Sequence, residues 1–205
     1  MSIVTLNNRG VRSVTTFGSV DTGAMIFIKK LTASSSGTLS FVNGSSDVVL
    51  DSTYKTYVFT FKNIHPATDL AAFQFNLSID GGSNYNVTKT TTAFDSLHKE
   101  DGSGGQLAYK TGQDLAQGTG FQELEQQLGN GNDESCSGHL HLFNPSSTTF
   151  VKHFIARVNA YQGENYTVDN YTAGYANTTS AVNAVQFKMS SGNIDAGDIC
   201  LYGIL

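Results

Sequence analysis

The chain has 205 residues, a formal net charge of −5, and charged side chains at only 14% of its positions. A domain of this length buries roughly 70% of the surface that its unfolded chain exposes, so we expect one domain with one sizeable core. Only three arginines are present, Arg9, Arg12 and Arg157. So few cations exclude a strongly basic face, and we therefore expect no binding to nucleic acid.

The longest apolar run, at residues 24–28, is far too short to span a membrane, and no apolar segment of a signal peptide precedes it. We therefore expect neither membrane insertion nor export. Cys136 and Cys200 are the only cysteines. Two thiols are too few for a disulfide framework, and the sequence leaves open whether they pair.

The first twenty residues contain Arg9 and Arg12 but no sustained alternation of apolar and polar side chains. This pattern predicts an extended arm. Such an arm can add itself to the exposed sheet edge of a partner, and the planar guanidinium of arginine suits paired contacts at interfaces. We predict that residues 1–20 are an attachment arm, with Arg9 and Arg12 as partner-binding residues, and that residues 21–205 form the folded domain. The alternative is a floppy terminus.

From residue 24 onward, apolar and polar side chains alternate with the period of two that is typical of strands with one buried face. The clearest example is residues 73–79, which are apolar at every odd position. Two hairpins are predicted across short polar turns, the first joining the first two strands and the second joining the fourth and fifth. The ten predicted strands are residues 24–31, 38–42, 54–62, 72–79, 85–92, 138–143, 149–158, 171–175, 184–189 and 198–204.

The middle of the chain, residues 96–134, lacks this alternation. Within it Phe121, Leu124 and Leu128 have helical spacing, which predicts one short helix. We expect an all-β fold, an antiparallel two-sheet β-sandwich that is jelly-roll-like, with an extended N-terminal arm and one short helix. The predicted core includes Phe59, Phe61, Phe73, Phe75, Leu77, Phe150, Phe154 and Phe187.

Two groups of residues could bind a metal. His139 and His141 lie on one face of a predicted strand, with His153 on a later one, as in cupin-like sites. No carboxylate follows them at the spacing that such a site needs, and the alternative is that they lie on the solvent face. The oxygen-rich loop at 129–135, and Asp195 with Asp198, could bind calcium, although such clusters more often form turns.

Three acidic pairs have the composition that glycoside hydrolysis requires. All three are expected in loops or on a surface helix, and the chain contains no nucleophile elbow and no phosphate-binding glycine loop. We therefore predict no enzymatic activity and no cofactor. The pairs are Glu123 with Glu125, Asp133 with Glu134, and Asp195 with Asp198.

Tyrosines are spread through the predicted loops and strand ends, where their rings could stack on sugars. This suggests a carbohydrate-binding, lectin-like module as one hypothesis. The favoured interpretation is that the rings occupy sheet edges with their hydroxyls in water. The tyrosines concerned are Tyr85, Tyr109, Tyr161, Tyr166, Tyr171 and Tyr175.

Several longer phrases resemble virion proteins of marine tailed bacteriophages. They are residues 6–18, residues 51–66, residues 144–154, residues 173–197 and the ending at 201–204, so that the resemblance covers nearly the whole chain. It implies a non-enzymatic component of the virion, assembled in the host cytoplasm as a tail fibre, an adaptor or a head decoration protein. The resemblance supplies no catalytic or ligand residues.

The expected partners are other virion proteins and further copies of the chain, in a trimer or a larger homo-oligomer. A host-surface glycan is a further candidate partner. The middle region, residues 96–134, departs most from the proteins that the chain resembles. A variable loop on a rigid sandwich is where recognition of a receptor is expected. The alternative function is a free carbohydrate-binding, lectin-like module.

Overall fold

The computed structural model describes residues 24–205. In this range the chain forms twelve β-strands and no helix, and no helix long and apolar enough to cross a membrane occurs there. The arm predicted at residues 1–20, with Arg9 and Arg12, lies outside the described residues. The strands are β1 (Met25–Thr32), β2 (Leu39–Val42), β3 (Thr56–Pro66), β4 (Ala71–Ser78), β5 (Lys89–Lys99), β6 (Gly105–Tyr109), β7 (Gln122–Leu128), β8 (Cys136–Phe143), β9 (Lys152–Gln162), β10 (Tyr166–Ala176), β11 (Ala184–Met189) and β12 (Ile194–Ile204).

All strand pairs are antiparallel, and the hydrogen-bonded order is β1-β12-β3-β8-β9-β7-β4-β11-β2. A branch leaves this path at β9 and continues through β10 and β5 to β6. The link between β9 and β7 is a single residue pair, Leu128 with Gln162. The sheet is therefore nearly closed and barrel-like, and the expectation of an antiparallel all-β fold is confirmed.

The core is a cluster of phenylalanines that face one another across the interior. Phe187 on β11 is its centre, because its ring centroid lies 5.3 Å from those of Phe59 and Phe61 and 5.9 Å from that of Phe73. Phe75 packs edge-on against Phe154 of β9 at 5.1 Å. Seven of the eight predicted core residues are buried, and the exception is Phe150.

Phe150 is 69% exposed, so its assignment to the core is wrong. The hydroxyl oxygen of Ser147 accepts hydrogen bonds from the backbone N–H groups of Thr149 and Phe150. These bonds hold the segment in a turn, and β9 begins only at Lys152. The strand that was predicted to begin at residue 149 therefore begins three residues later, at Lys152.

The predicted short helix is also wrong, because its residues form β7. Leu124 and Leu128 are buried and lie an even number of positions apart, which a strand satisfies as well as a helix. The pairing of β7 with β4 is interrupted by two register shifts, and Gln127 has a positive φ of 54°. These irregularities remove the strict alternation by which a strand is recognised in a sequence.

Neither predicted hairpin forms. β1 pairs with β12 and β2 with β11, while β4 pairs with β7 and β11 and β5 pairs with β6 and β10. The turn after β4 is real, because Asp80 accepts hydrogen bonds from Ser78 and Asn84. Turn residues show where a chain reverses, but the choice of partner strand depends on which apolar faces can be buried together.

Candidate functional site

The outer face of the sheet, which points away from the core, carries a continuous row of large side chains. Alternate residues of a strand point to opposite faces, so strand register decides which side chains share this face. One row crosses six pairings, from β12 through β3, β8, β9, β10 and β5 to β6. It consists of Cys200, Thr60, His139, Arg157, Tyr171, Phe94 and Tyr109. We call it the outer row.

At the centre of the outer row, Phe94, Arg157 and Tyr171 form a stacked cluster with Asp169, which lies two positions before Tyr171 on the same face of β10. The Phe94 and Tyr171 rings are parallel within 2°, with centroids 4.8 Å apart. The Arg157 guanidinium lies 5.0 Å from the Tyr171 centroid, and its Nη2 is 2.7 Å from Asp169 Oδ2. The hydrogen bond from Arg157 lowers the pKa of Asp169 below its ordinary value. The cluster is thus a stack of two aromatic rings and a guanidinium, beside a fixed ion pair.

A shallow apolar hollow of about 540 Å³ lies next to this cluster. It is lined by Phe143, His153 and Tyr175, and by Ile155, which is 53% exposed. A smaller hollow of about 160 Å³ connects Ile155 to Phe94. Ligand pockets in proteins are usually about 300–1,000 Å³ and mostly apolar, so the larger hollow has a suitable size for a small ligand or a partner's side chain.

Four of the six tyrosines that the sequence suggested for sugar stacking share this outer face: Tyr109, Tyr161, Tyr171 and Tyr175. Their grouping is a consequence of strand pairing and could not be read from their spacing. Phe94, the ring that stacks on Tyr171, was not among the residues that the sequence suggested. The signal for it was the alternation within β5, where Ala93 and Asp95 are buried and Phe94 is exposed.

The three histidines do not form a metal site. The rings of His139 and His141 are 5.1 Å apart, and burial, together with the charge of His139, lowers the pKa of His141. His153 instead packs near Tyr175, at 6.1 Å. In residues 24–205 no group of three or more histidine, cysteine or acidic side chains is arranged to hold a metal.

The acidic pairs are divided by the fold. Glu123 is half-buried whereas Glu125 is completely buried. Asp133, Glu134 and Asp195 come together around a polar hollow of about 530 Å³ that His65 also lines. Glu134 accepts a hydrogen bond from the Gly131 backbone, while His65 Nδ1 lies 3.7 Å from Asp195.

Asp198 lies apart from Asp195, because its carboxylate accepts a hydrogen bond of 2.6 Å from Thr32 and lies 3.5 Å from Lys30. Both cysteines are free, Cys136 being buried and Cys200 partly exposed. Burial raises the pKa of the Cys136 thiol well above its ordinary value. The partly exposed thiol of Cys200 belongs to the outer row.

Comparisons with known proteins give no relative. No protein-family model, no curated protein and no solved structure matches this chain.

Proposed function

We propose that this chain is a non-enzymatic structural protein of a bacteriophage virion, displayed on the particle as a tail fibre or adaptor or as a capsid decoration component. The observation that carries this proposal is the order in which eight of the strands pair. β1-β12-β3-β8 forms one run of four strands, and β2-β11-β4-β7 forms another.

When these eight strands are numbered one to eight along the chain, the two runs become 1-8-3-6 and 2-7-4-5. This is the order of a jelly roll, in which two Greek keys form two facing sheets. We therefore propose a jelly-roll-like sandwich that is extended beyond β8 by β9, β10, β5 and β6. Jelly rolls are common in viral particle proteins, and the sequence phrases that resemble marine phage virion proteins point to the same class.

The outer face provides the surface for contacts within the particle. Four exposed large apolar side chains belong to it or to its β6 edge: Phe94, Leu107, Tyr109 and Ile155, which are 41–73% exposed. Contiguous apolar surface of this kind is typical of protein interaction sites. The partners that we propose are neighbouring virion proteins and further copies of this chain, and the arm at residues 1–20 remains the predicted attachment element.

The decisive experiment is mass spectrometry of gradient-purified phage particles. We expect the chain at a fixed copy number set by the symmetry of the particle. A second measurement compares the full chain with a variant that lacks residues 1–20, both supplied during infection. We expect the shortened chain to keep its melting transition but to be lost from the particles. Absence of the full chain from purified particles would refute the proposal.

A second candidate function, a carbohydrate-binding, lectin-like module, is favoured by the stacked cluster. Phe94 is 41% exposed, and an exposed aromatic ring beside a fixed ion pair can contact a sugar ring while the charged groups form hydrogen bonds with its hydroxyls. Phe94→Ala should then weaken binding of host-surface polysaccharide by about 5-fold, which corresponds to about 1 kcal/mol for the loss of one aromatic contact. Phe150→Ala, which removes an exposed ring outside the outer row, is the matched control. Equal binding by both variants would exclude the cluster as the sugar site.

A further inference from the structure

A cluster of polar side chains is buried on the inner face of the sheet, on the opposite side of β5 and β10 from the outer row. It lies between β5, β7, β10 and the segment that follows β6. Its members are at most 3% exposed, although all of them carry charged or hydrogen-bonding groups. They are Asp95, Gln113, Glu125, Asn170 and Thr172.

Strand register brings three of these residues together. Asp95 of β5 lies directly opposite Asn170 of β10, and Thr172 follows two positions later on the same face. Gln113 reaches this face because its segment is hydrogen-bonded along β5, with Lys110 N–H bound to the Ala93 carbonyl. The side chains therefore share one small volume on the inner face.

The two carboxylates each have one oxygen with a partner and one without. Asp95 Oδ2 lies 3.0 Å from Lys110 Nζ, and Glu125 Oε1 accepts a hydrogen bond of 2.8 Å from Gln162 Nε2. Asp95 Oδ1 and Glu125 Oε2 are buried without any partner. The partnered oxygen fixes each carboxylate in place, as outer-shell partners do for metal ligands.

The uncharged members of the cluster likewise have some polar atoms with a hydrogen-bond partner and some without. Asn170 Nδ2 donates to Gln113 Oε1 at 3.2 Å, whereas Asn170 Oδ1, Thr172 Oγ1 and Gln113 Nε2 have no partner. Four oxygens and one amide nitrogen are thus left over. Buried polar atoms in native proteins are nearly always paired. Three of these unpaired atoms, Asp95 Oδ1, Glu125 Oε2 and Asn170 Oδ1, can only accept hydrogen bonds or bind a cation, and the ammonium of Lys110 is bound to the other oxygen of Asp95.

Burial raises the pKa of Glu125 to about 8. The hydrogen bond from Gln162 lowers it, the charge of Asp95 raises it, and Asn170 and Lys110 lower it further. Glu125 reaches the cluster because β7 contacts β10, and because its partner Gln162 lies on β9, which pairs with β10.

We propose that this cluster is a calcium site, with oxygens of Asp95, Glu125, Asn170 and Thr172 as ligands. Ca²⁺ prefers carboxylate and carbonyl oxygens and accepts six to eight of them in flexible geometry. Mg²⁺ usually keeps several of its waters, which so buried a cluster disfavours. The site is independent of the proposed virion function and of the loop at 129–135.

The test uses the full chain after treatment with a chelator. CaCl₂ should raise the melting temperature by about 5 °C or more when its concentration is a hundred times the dissociation constant, whereas MgCl₂ should act weakly. Calorimetry should give one Ca²⁺ per chain. Asp95→Asn and Glu125→Gln keep the side-chain shape and should lose the shift. Asp133→Asn, in the exposed oxygen-rich loop, is the control that should keep it.

A further variant separates a cation from a proton. Asn170→Asp adds a third carboxylate, which should tighten Ca²⁺ binding several-fold if the site holds the ion. If a protonated Glu125 and rotated amides close the network instead, this variant should be destabilised to the same extent with and without Ca²⁺. A wild-type chain whose melting temperature and calorimetry do not respond to Ca²⁺ would overturn the proposal. So would a response that survives in the Asp95 and Glu125 variants but is lost in the Asp133 variant.

Discussion

Phe187→Ala should be among the most damaging single changes in this protein. Phe187 is completely buried on β11, and its ring lies within 6.3 Å of five other phenylalanine rings. Truncation of a buried phenylalanine costs about 3–5 kcal/mol through lost burial and the cavity left behind. Each aromatic pair adds about 0.5–1.5 kcal/mol beyond area alone, so we expect a loss at the upper end, about 5 kcal/mol. The melting temperature should fall by about 10–15 °C.

Phe150→Ala is the matched control, because the same atoms are removed from a side chain that is 69% exposed. We expect it to change the free energy of unfolding by no more than about 0.5 kcal/mol. Urea denaturation followed by circular dichroism gives both values, with tyrosine fluorescence as a second probe because the chain has no tryptophan. Similar losses for the two variants would refute the assignment of the core.

Three further predictions concern single buried or crowded positions. Burial lowers the pKa of Lys89 from 10.5 to about 8, so the unfolded chain binds the proton more tightly. The free energy of unfolding, measured in urea, should rise by about 3 kcal/mol between pH 8 and 10.5 relative to Lys89→Met; parallel curves would contradict this. Gly138→Ala should lower the free energy of unfolding by about 1–3 kcal/mol, because the added Cβ would overlap the backbone of β9. Gly112→Ala is the control and should be nearly neutral, because the space around Gly112 is open. Equal melting temperatures for the two variants would contradict the crowding at Gly138. A thiol reagent should modify Cys200 in the native chain and Cys136 only after unfolding, and mass spectrometry showing two labels before unfolding would contradict the buried position.

Local patterns in the sequence predicted the class of fold but not the pairing of strands. The alternation at residues 73–79 correctly placed Phe75 and Leu77 in the core, because the period of two is a property of the strand itself. The same reasoning failed at Phe150, where hydrogen bonds to Ser147 hold the backbone in a turn. It also failed at residues 121–128, where a bulged strand has the spacing of a helix.

The candidate site was less predictable than the fold. The sequence drew attention to six tyrosines, yet nothing in their spacing indicated that four of them share one face. Phe94 meets Tyr171 only because β5 pairs with β10 rather than with β4, which the predicted hairpin excluded. Cross-strand neighbours depend on register between distant segments, and register follows from burial of whole faces.

The sequence by itself determined that this protein is an antiparallel β protein with a phenylalanine core and few charges, since alternation and composition are local properties. Only the tertiary structure decided which strands pair, and thereby which side chains meet. Asp95 and Asn170 are far apart in the chain and become opposite neighbours through β5 and β10. Their unpaired oxygens are buried together because the strand pairing that buries the apolar faces also puts both side chains on the inner face.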